Sequence, residues 1–208
     1  MKPPVPRLHL IGPLVLPAAD YPRVARQAVE GGCDAVHVRI PGGATDELLA
    51  LARELRRSLA PHALIVNDRL DVALLAGADG VQLGERSFSV ADARVLLGDE
   101  RLVGRSVHDR DGAIRAAKDG ADYLLAGHVF DTPSKQGTPG RGLDWLAELC
   151  AATPAPVIAL GGITVERVPL VLEAGAHGVA LGRELLLARA PAASARRAAE
   201  LARVRWND

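Results

Sequence analysis

His128 ends an apolar run, Tyr123-Leu124-Leu125-Ala126-Gly127, and a polar loop bearing Thr132, Ser134, Lys135, Gly137 and Gly140 follows at once. Imidazole both takes and gives a proton near neutral pH, so His128 is a candidate general acid and base. A buried strand that delivers such a group beside a cation and a glycine-bearing loop is a common way for α/β enzymes to build a site. A core histidine at a strand end is the competing reading. Two candidate anion sites lie downstream: Gly161-Gly162-Ile163-Thr164 and Leu181-Gly182-Arg183 each run from an apolar strand into a helix. Glycines there let backbone N–H groups approach a phosphate, and the start of a helix favours negative charge. Tight turns without a ligand are the alternative.

More candidates stand upstream. His37 and Arg39 are two apart and share one side of a strand, with Val36, Val38 and Ile40 on the other. A charged Arg39 directed at a packed interior is expensive unless it meets an anion or a structural carboxylate. Asn67-Asp68-Arg69 offers an amide and a carboxylate, or only an N-cap for the next helix. Ser106 and His108 share one side of a later strand. No nucleophile elbow, close carboxylate pair or Cys/His metal cluster accompanies them.

The elements that must position these groups show a repeat. A helix end, a glycine and a short apolar strand recur as EGGCDAVHVRI, AGADGVQLG, DGADYLLAG and AGAHGVALG. Aligned on Val36, Val81, Tyr123 and Val179, the copies are 45, 42 and 56 residues apart, room for two βα units each. The gaps supply further strands at LHLIG, ALIVND, LVGRSVH and PVIALGG, making eight. Amphipathic segments predict helices over 21–30, 46–59, 70–76, 90–97, 111–118, 143–151 and 165–173. Eight βα units without an all-β or all-α block predict one domain over 1–208, a small (β/α)8 TIM barrel with short loops. An open doubly wound sheet would place Gly-x-Gly-x-x-Gly after the first strand, and the sequence has none there. A helical tail over 184–206, broken at Pro191, carries Arg196, Arg197, Arg203 and Arg205 on what reads as a solvated face.

Composition narrows the function classes. The 208 residues are 49% hydrophobic but only 3% aromatic, so Leu, Val, Ile and Ala must fill the core. Lys+Arg and Asp+Glu number 25 each, without the basic excess of a nucleic-acid binder. No apolar run approaches the roughly 20 residues of a membrane span, and MKPPVPRLHLIG lacks a secretory core. Cys33 and Cys150 lack metal-ligand spacing and read as reduced thiols of a cytoplasmic protein. Spacing alone therefore points to a barrel enzyme acting on a small phosphate ester with a histidine as acid and base.

The motifs LIVNDRLDVALLAGADGVQLG, RSVH, GHVFDTPSKQGTPGRGLDWL and PVIALGGIT resemble the thiamine phosphate synthase superfamily over about residues 8–187. The resemblance implies one of two activities. A synthase joins hydroxymethylpyrimidine pyrophosphate to thiazole phosphate with magnesium; a thiazole tautomerase aromatises a carboxythiazole phosphate by moving a proton. Synthases typically carry Gln-x-Arg-x-Lys on strand two, where this chain has His37, Arg39 and Pro41. They carry an aspartate after strand four, where Ser87 stands, leaving Asp68 as a lone magnesium ligand. They read Gly-Pro at strand six, where this chain reads Gly127-His128, like the tautomerase. These departures lead us to expect a cofactor-independent isomerase with no metal, His128 as its proton carrier. The expected substrate contacts are His37, Arg39, Asn67, Ser106, Thr132, Ser134, Lys135, Gly161, Gly162, Leu181 and Gly182. Phosphate is expected on Gly161, Gly162, Leu181 and Gly182, and the substrate carboxylate near Ser134, Lys135 or Arg39. A synthase tolerating these changes, or a non-catalytic thiazole-phosphate-binding paralogue, are the alternatives. The resemblance also implies a homodimer whose partner molecules are small phosphorylated thiazoles, not nucleic acid or membrane.

Overall fold

In the computed structural model, which describes residues 2–206, eight parallel strands close on themselves in chain order. They are β1 (Leu8–Gly12), β2 (Ala35–Val38), β3 (Ala63–Asn67), β4 (Gly80–Leu83), β5 (Leu102–Val107), β6 (Tyr123–Gly127), β7 (Val157–Leu160) and β8 (Gly178–Leu181). β8 returns to β1 with Leu8 opposite Val179 and Leu10 opposite Leu181. Between strands run α1 (Tyr21–Glu30), α2 (Thr45–Leu59), α3 (Leu70–Ala76), α4 (Val90–Leu97), α5 (Arg110–Lys118), α6 (Gly142–Ala151) and α7 (Val168–Glu173). After β8 come a short α8 (Arg183–Leu186) and a long α9 (Pro191–Trp206). This is the expected TIM barrel.

Alternation along the strands makes two cores. Outward residues such as Leu8, Leu10, Val36, Val38, Leu64, Val66, Val81 and Leu124 pack under the helices. The helices answer with stripes at three- and four-residue spacing: Tyr21, Val24, Ala25 and Ala28 on α1, and Leu48, Leu51, Ala52, Leu55 and Leu59 on α2. Burying each Leu or Val contributes about 1.5–3 kcal/mol, which makes this shell the main source of stability. A smaller set, including Ile11, Ala35, Ile65, Leu102, Leu125, Ile158 and Ala180, fills the barrel itself.

The sequence repeat has a physical role at the barrel's base. Asp34 Oδ2 accepts the N–H groups of Arg7 and Leu8, both at 3.0 Å. Asp79 Oδ2 accepts Leu64 N–H at 2.8 Å, and Asp122 Oδ2 accepts Val103 N–H at 2.7 Å. Each carboxylate, just before an even strand, thus ties down the start of the odd strand before it. Arg56 neutralises Asp79, while Lys2 and Arg94 neutralise Asp122. In the fourth copy the position is His177, which offers no carboxylate.

The tail breaks where expected, because Pro191 starts α9, a position that loses no helical hydrogen bond. α9 packs on α1 and α7. Its approach is so close that a Cβ on Gly31 would lie 2.3 Å from the Ala192 carbonyl oxygen. Arg205 pairs with Glu173 at 3.0 Å and Arg197 lies 3.8 Å from Glu200, so the basic face is partly spent on surface pairs. Cys33 and Cys150 are free thiols. Among the described residues no helix is long and apolar enough to cross a membrane.

Candidate active site

The inward face of the barrel turns polar toward its C-terminal mouth. His9 on β1 and His37 on β2 are fully buried, with His9 Nδ1 2.8 Å from His37 Nε2. His9 Nε2 is 3.0 Å from the Pro6 carbonyl oxygen, and His37 Nδ1 is 3.3 Å from Asn67 Oδ1 at the end of β3. Burial lowers the His9 pKa to about 4. Burial, with His9 beside it, also holds His37 well below the usual histidine range, so both rings are neutral at neutral pH. Across the barrel Gln82 Nε2 donates to Ser106 Oγ at 3.1 Å. Gln82 Oε1 and Tyr123 OH are buried without a partner among the described residues, packed against Gly104, where a Cβ would overlap both.

His37 was expected to touch the substrate. Its ring nitrogens are instead taken by His9 and Asn67, and it lies beneath Asn67 rather than at the opening. Asn67 and Ser106 are half-buried toward the C-terminal ends of β3 and β5. Arg39, just past β2, is exposed, and its guanidinium has no ion pair among the described residues. The alternative of a structural pair for Arg39 is thereby removed. Arg69 turns outward, held by Asp71 and by Thr45 Oγ1 at 2.7 Å.

Asp68 follows β3 in the left-handed region, at φ 63°, which aspartate tolerates better than most residues. Its Oδ1 accepts Gly84 N–H at 2.9 Å and the Ser87 hydroxyl. Its other oxygen has no hydrogen-bond partner among the described residues. A magnesium ion typically keeps several waters and binds through one or two carboxylates plus substrate phosphate oxygens. Asp68 with a diphosphate meets that minimum, although no cluster of three or more acidic, His or Cys side chains among the described residues adds to it. Glu85 points elsewhere, 3.4 Å from His108 Nε2, while His108 Nδ1 donates to the Gly127 carbonyl at 2.9 Å.

The loop after β6 borders an open, shallow depression of about 410 Å³ lined by Asp131, Thr132, Lys135, Gln136, Gly137 and Thr138. Thr132 is half-buried, and Ser134 and Lys135 are exposed. His128 is 9% exposed and its Nε2 lies 3.1 Å from the Thr138 carbonyl oxygen. A carbonyl only accepts, so Nε2 carries the proton and the ring pins the loop from below. That leaves Nδ1 alone for proton transfer.

At β7 the glycines have a reason independent of any ligand. A Cβ on Gly161, at φ 100°, would lie 2.3 Å from His128 Cβ; one on Gly162, at φ 63°, would lie 2.5 Å from the Asp131 carbonyl. Leu181 is buried with its side chain in the outer shell, so only its backbone is on offer there. The helices expected to lend dipoles are short: α7 has six residues after a single 3-10 turn, and α8 has four. Glu184 Oε1 also takes the Val165 N–H at 3.2 Å. An anion held there would therefore meet backbone N–H groups rather than strong helix dipoles.

Sequence reasoning missed His9 and Tyr123. The available signal was alternation: His9 stands two before inward-facing Ile11 between apolar neighbours, the pattern that marked His37.

Residues 9–185 match the protein family described as thiamine monophosphate synthase. The chain is 40% identical over 189 residues to the thiamine-phosphate synthase of Salinibacter ruber, covering 89% of this chain and 83% of that protein. It is 41% identical over 186 residues to that of Anaeromyxobacter dehalogenans, covering 88% and 84%. The solved thiamine phosphate pyrophosphorylase from Pyrococcus furiosus superposes with a TM-score of 0.85 at 30% identity, covering 96% of each chain. These relatives overturn the expected tautomerase: the proteins this chain resembles over nearly its whole length carry the synthase name. The proton-carrier role assigned to His128 depended on that reading and falls with it.

Proposed function

The chain belongs to the thiamine monophosphate synthase family, and on that premise we propose that it is itself a thiamine-phosphate synthase, a transferase rather than an isomerase. About 40% identity to proteins of that name over most of the chain carries the reading. The reaction breaks the C–O bond of hydroxymethylpyrimidine diphosphate and forms a C–N bond to the ring nitrogen of thiazole phosphate. The nitrogen lone pair makes the new bond, and diphosphate leaves with the old bonding pair.

The mouth divides among three tasks. Asn67 and Ser106 receive the pyrimidine at the top of the barrel interior. Arg39 from one side, and Thr132, Ser134 and Lys135 from the β6 loop, take the diphosphate, whose charge grows on the leaving oxygen as the bond breaks. Fixed cations and hydroxyls at a developing charge lower the barrier because they need no reorganisation. Backbone N–H groups at Gly161, Gly162, Leu181 and Gly182 take the thiazole phosphate opposite. Magnesium, when bound, would neutralise the diphosphate, held through Asp68. His128 fixes the loop that carries Lys135. Neither His37 nor Ser87 touches substrate in this scheme, which is why the family's usual residues there can be absent.

The family resemblance also supports a homodimer working in the cytoplasm, to be checked by sedimentation. The activity is tested by incubating the protein with both substrates and magnesium and identifying the product by mass. Thiamine phosphate should form only when both substrates are present. Intact substrates after prolonged incubation would overturn the proposal.

A further inference from the structure

The buried contacts from Pro6 to Asn67 obey a strict proton count. Three contacts lie in series: Pro6 O with His9 Nε2 at 3.0 Å, His9 Nδ1 with His37 Nε2 at 2.8 Å, and His37 Nδ1 with the Asn67 amide at 3.3 Å. Each needs one hydrogen. Two neutral imidazoles bring one each, and the Pro6 carbonyl brings none. With Asn67 Oδ1 toward His37 both ends of the chain are acceptors and one hydrogen is missing. An imidazolium could supply it, but an added positive charge on fully buried rings is strongly disfavoured. Half a turn of the Asn67 amide supplies it at no such cost, because the amide N–H then donates to His37 Nδ1.

We propose that His9 and His37 are positioning residues for Asn67, drawing its amide N–H inward and leaving its carbonyl oxygen facing the mouth as a hydrogen-bond acceptor. The chain has one direction throughout. Asn67 Nδ2 donates to His37 Nδ1, His37 Nε2 donates to His9 Nδ1, and His9 Nε2 donates to the Pro6 carbonyl. Across the barrel Gln82 Nε2 donates to Ser106 Oγ, which leaves the Ser106 hydrogen free to point into the same opening. The mouth then presents one fixed acceptor from β3 and one donor from β5. An amidine edge, an amino group next to an unprotonated ring nitrogen, is its complement; an oxo group next to a ring N–H is its mismatch. Taking that edge as the aminopyrimidine of the substrate rests on the synthase reading; the direction of the chain does not.

The test reads the direction and the recognition separately. With 15N-labelled histidine at neutral pH, His9 and His37 should both appear as neutral rings protonated at Nε2, with coupling across the bond between them. A His37 protonated at Nδ1, or an imidazolium in either ring, would overturn the proposal whatever the enzyme's activity. Asn67→Asp removes the inward N–H and should make an imidazolium signal appear; two neutral rings in that variant would also overturn it. For recognition, His37→Leu should raise KM for the pyrimidine diphosphate about tenfold while KM for thiazole phosphate stays put. His37→Gln, which has a donor and an acceptor in the same place, should restore most of it. Equal pyrimidine KM in His37→Leu and the unaltered protein would contradict the positioning role. A protein inactive in every form would count against the synthase reading, and the NMR result would still decide the direction of the chain.

Discussion

Asp68 keeps one carboxylate oxygen without a hydrogen-bond partner among the described residues, and Ser87, standing where the family usually has a second aspartate, hydrogen-bonds the other. Asp68→Asn should therefore lower kcat by on the order of 10²–10³-fold under saturating magnesium, read by steady-state kinetics. Ser87→Asp should restore a second carboxylate and reduce the magnesium concentration for half-maximal rate several-fold; an unchanged requirement would remove Asp68 from that role. His128 makes the opposite forecast. His128→Ala loses one hydrogen bond to the β6 loop, about 0.5–1.5 kcal/mol, and kcat should fall by less than about tenfold. The types and positions of Arg39, Asn67, Asp68 and Lys135 were legible because polar residues at the ends of apolar runs stand out. The role of His37 was not. Two inward histidines 28 residues apart meet only once the sheet has closed, and no spacing rule brings them together.

At the scale of elements, the acidic latches explain why the repeat places Asp34, Asp79 and Asp122 just before β2, β4 and β6. Asp122 satisfies a strand N–H and two cations at once while mostly buried. Asp122→Ala should destabilise the protein by about 2–3 kcal/mol in urea unfolding, the scale of losing charge-assisted hydrogen bonds from a buried group. A change within experimental error would show the latch to be dispensable. The strands and helices themselves were legible to within a residue or two, since buried parallel strands are apolar throughout and the helices keep a clean stripe. Helices after β7 and β8 were harder. Glycine followed by an apolar run signals a helix start, but it does not reveal that α8 ends after four residues.

For the whole molecule, the buried histidines link stability to pH. An unfolded histidine titrates near 6.5, whereas folded His9 titrates at about 4 and His37 is also held low. Between these values the unfolded chain binds the extra protons, so stability is complete above about pH 6.5 and falls as the pH drops toward 4. The slope is up to about 1.4 kcal/mol per pH unit for each ring. Urea unfolding at several pH values should show this decline, and His9→Gln should flatten it. The closed barrel followed from counting βα units; the family's usual activity did not, because His37, Pro41, Ser87 and His128 at positions where the family has other residues looked like a change of chemistry. The most direct measurement is 31P NMR of the protein with hydroxymethylpyrimidine diphosphate, thiazole phosphate and magnesium. Synthase chemistry predicts one diphosphate released per thiamine phosphate formed, and no release when thiazole phosphate is left out. A spectrum showing only unreacted substrates, or diphosphate release with no C–N product, would contradict it.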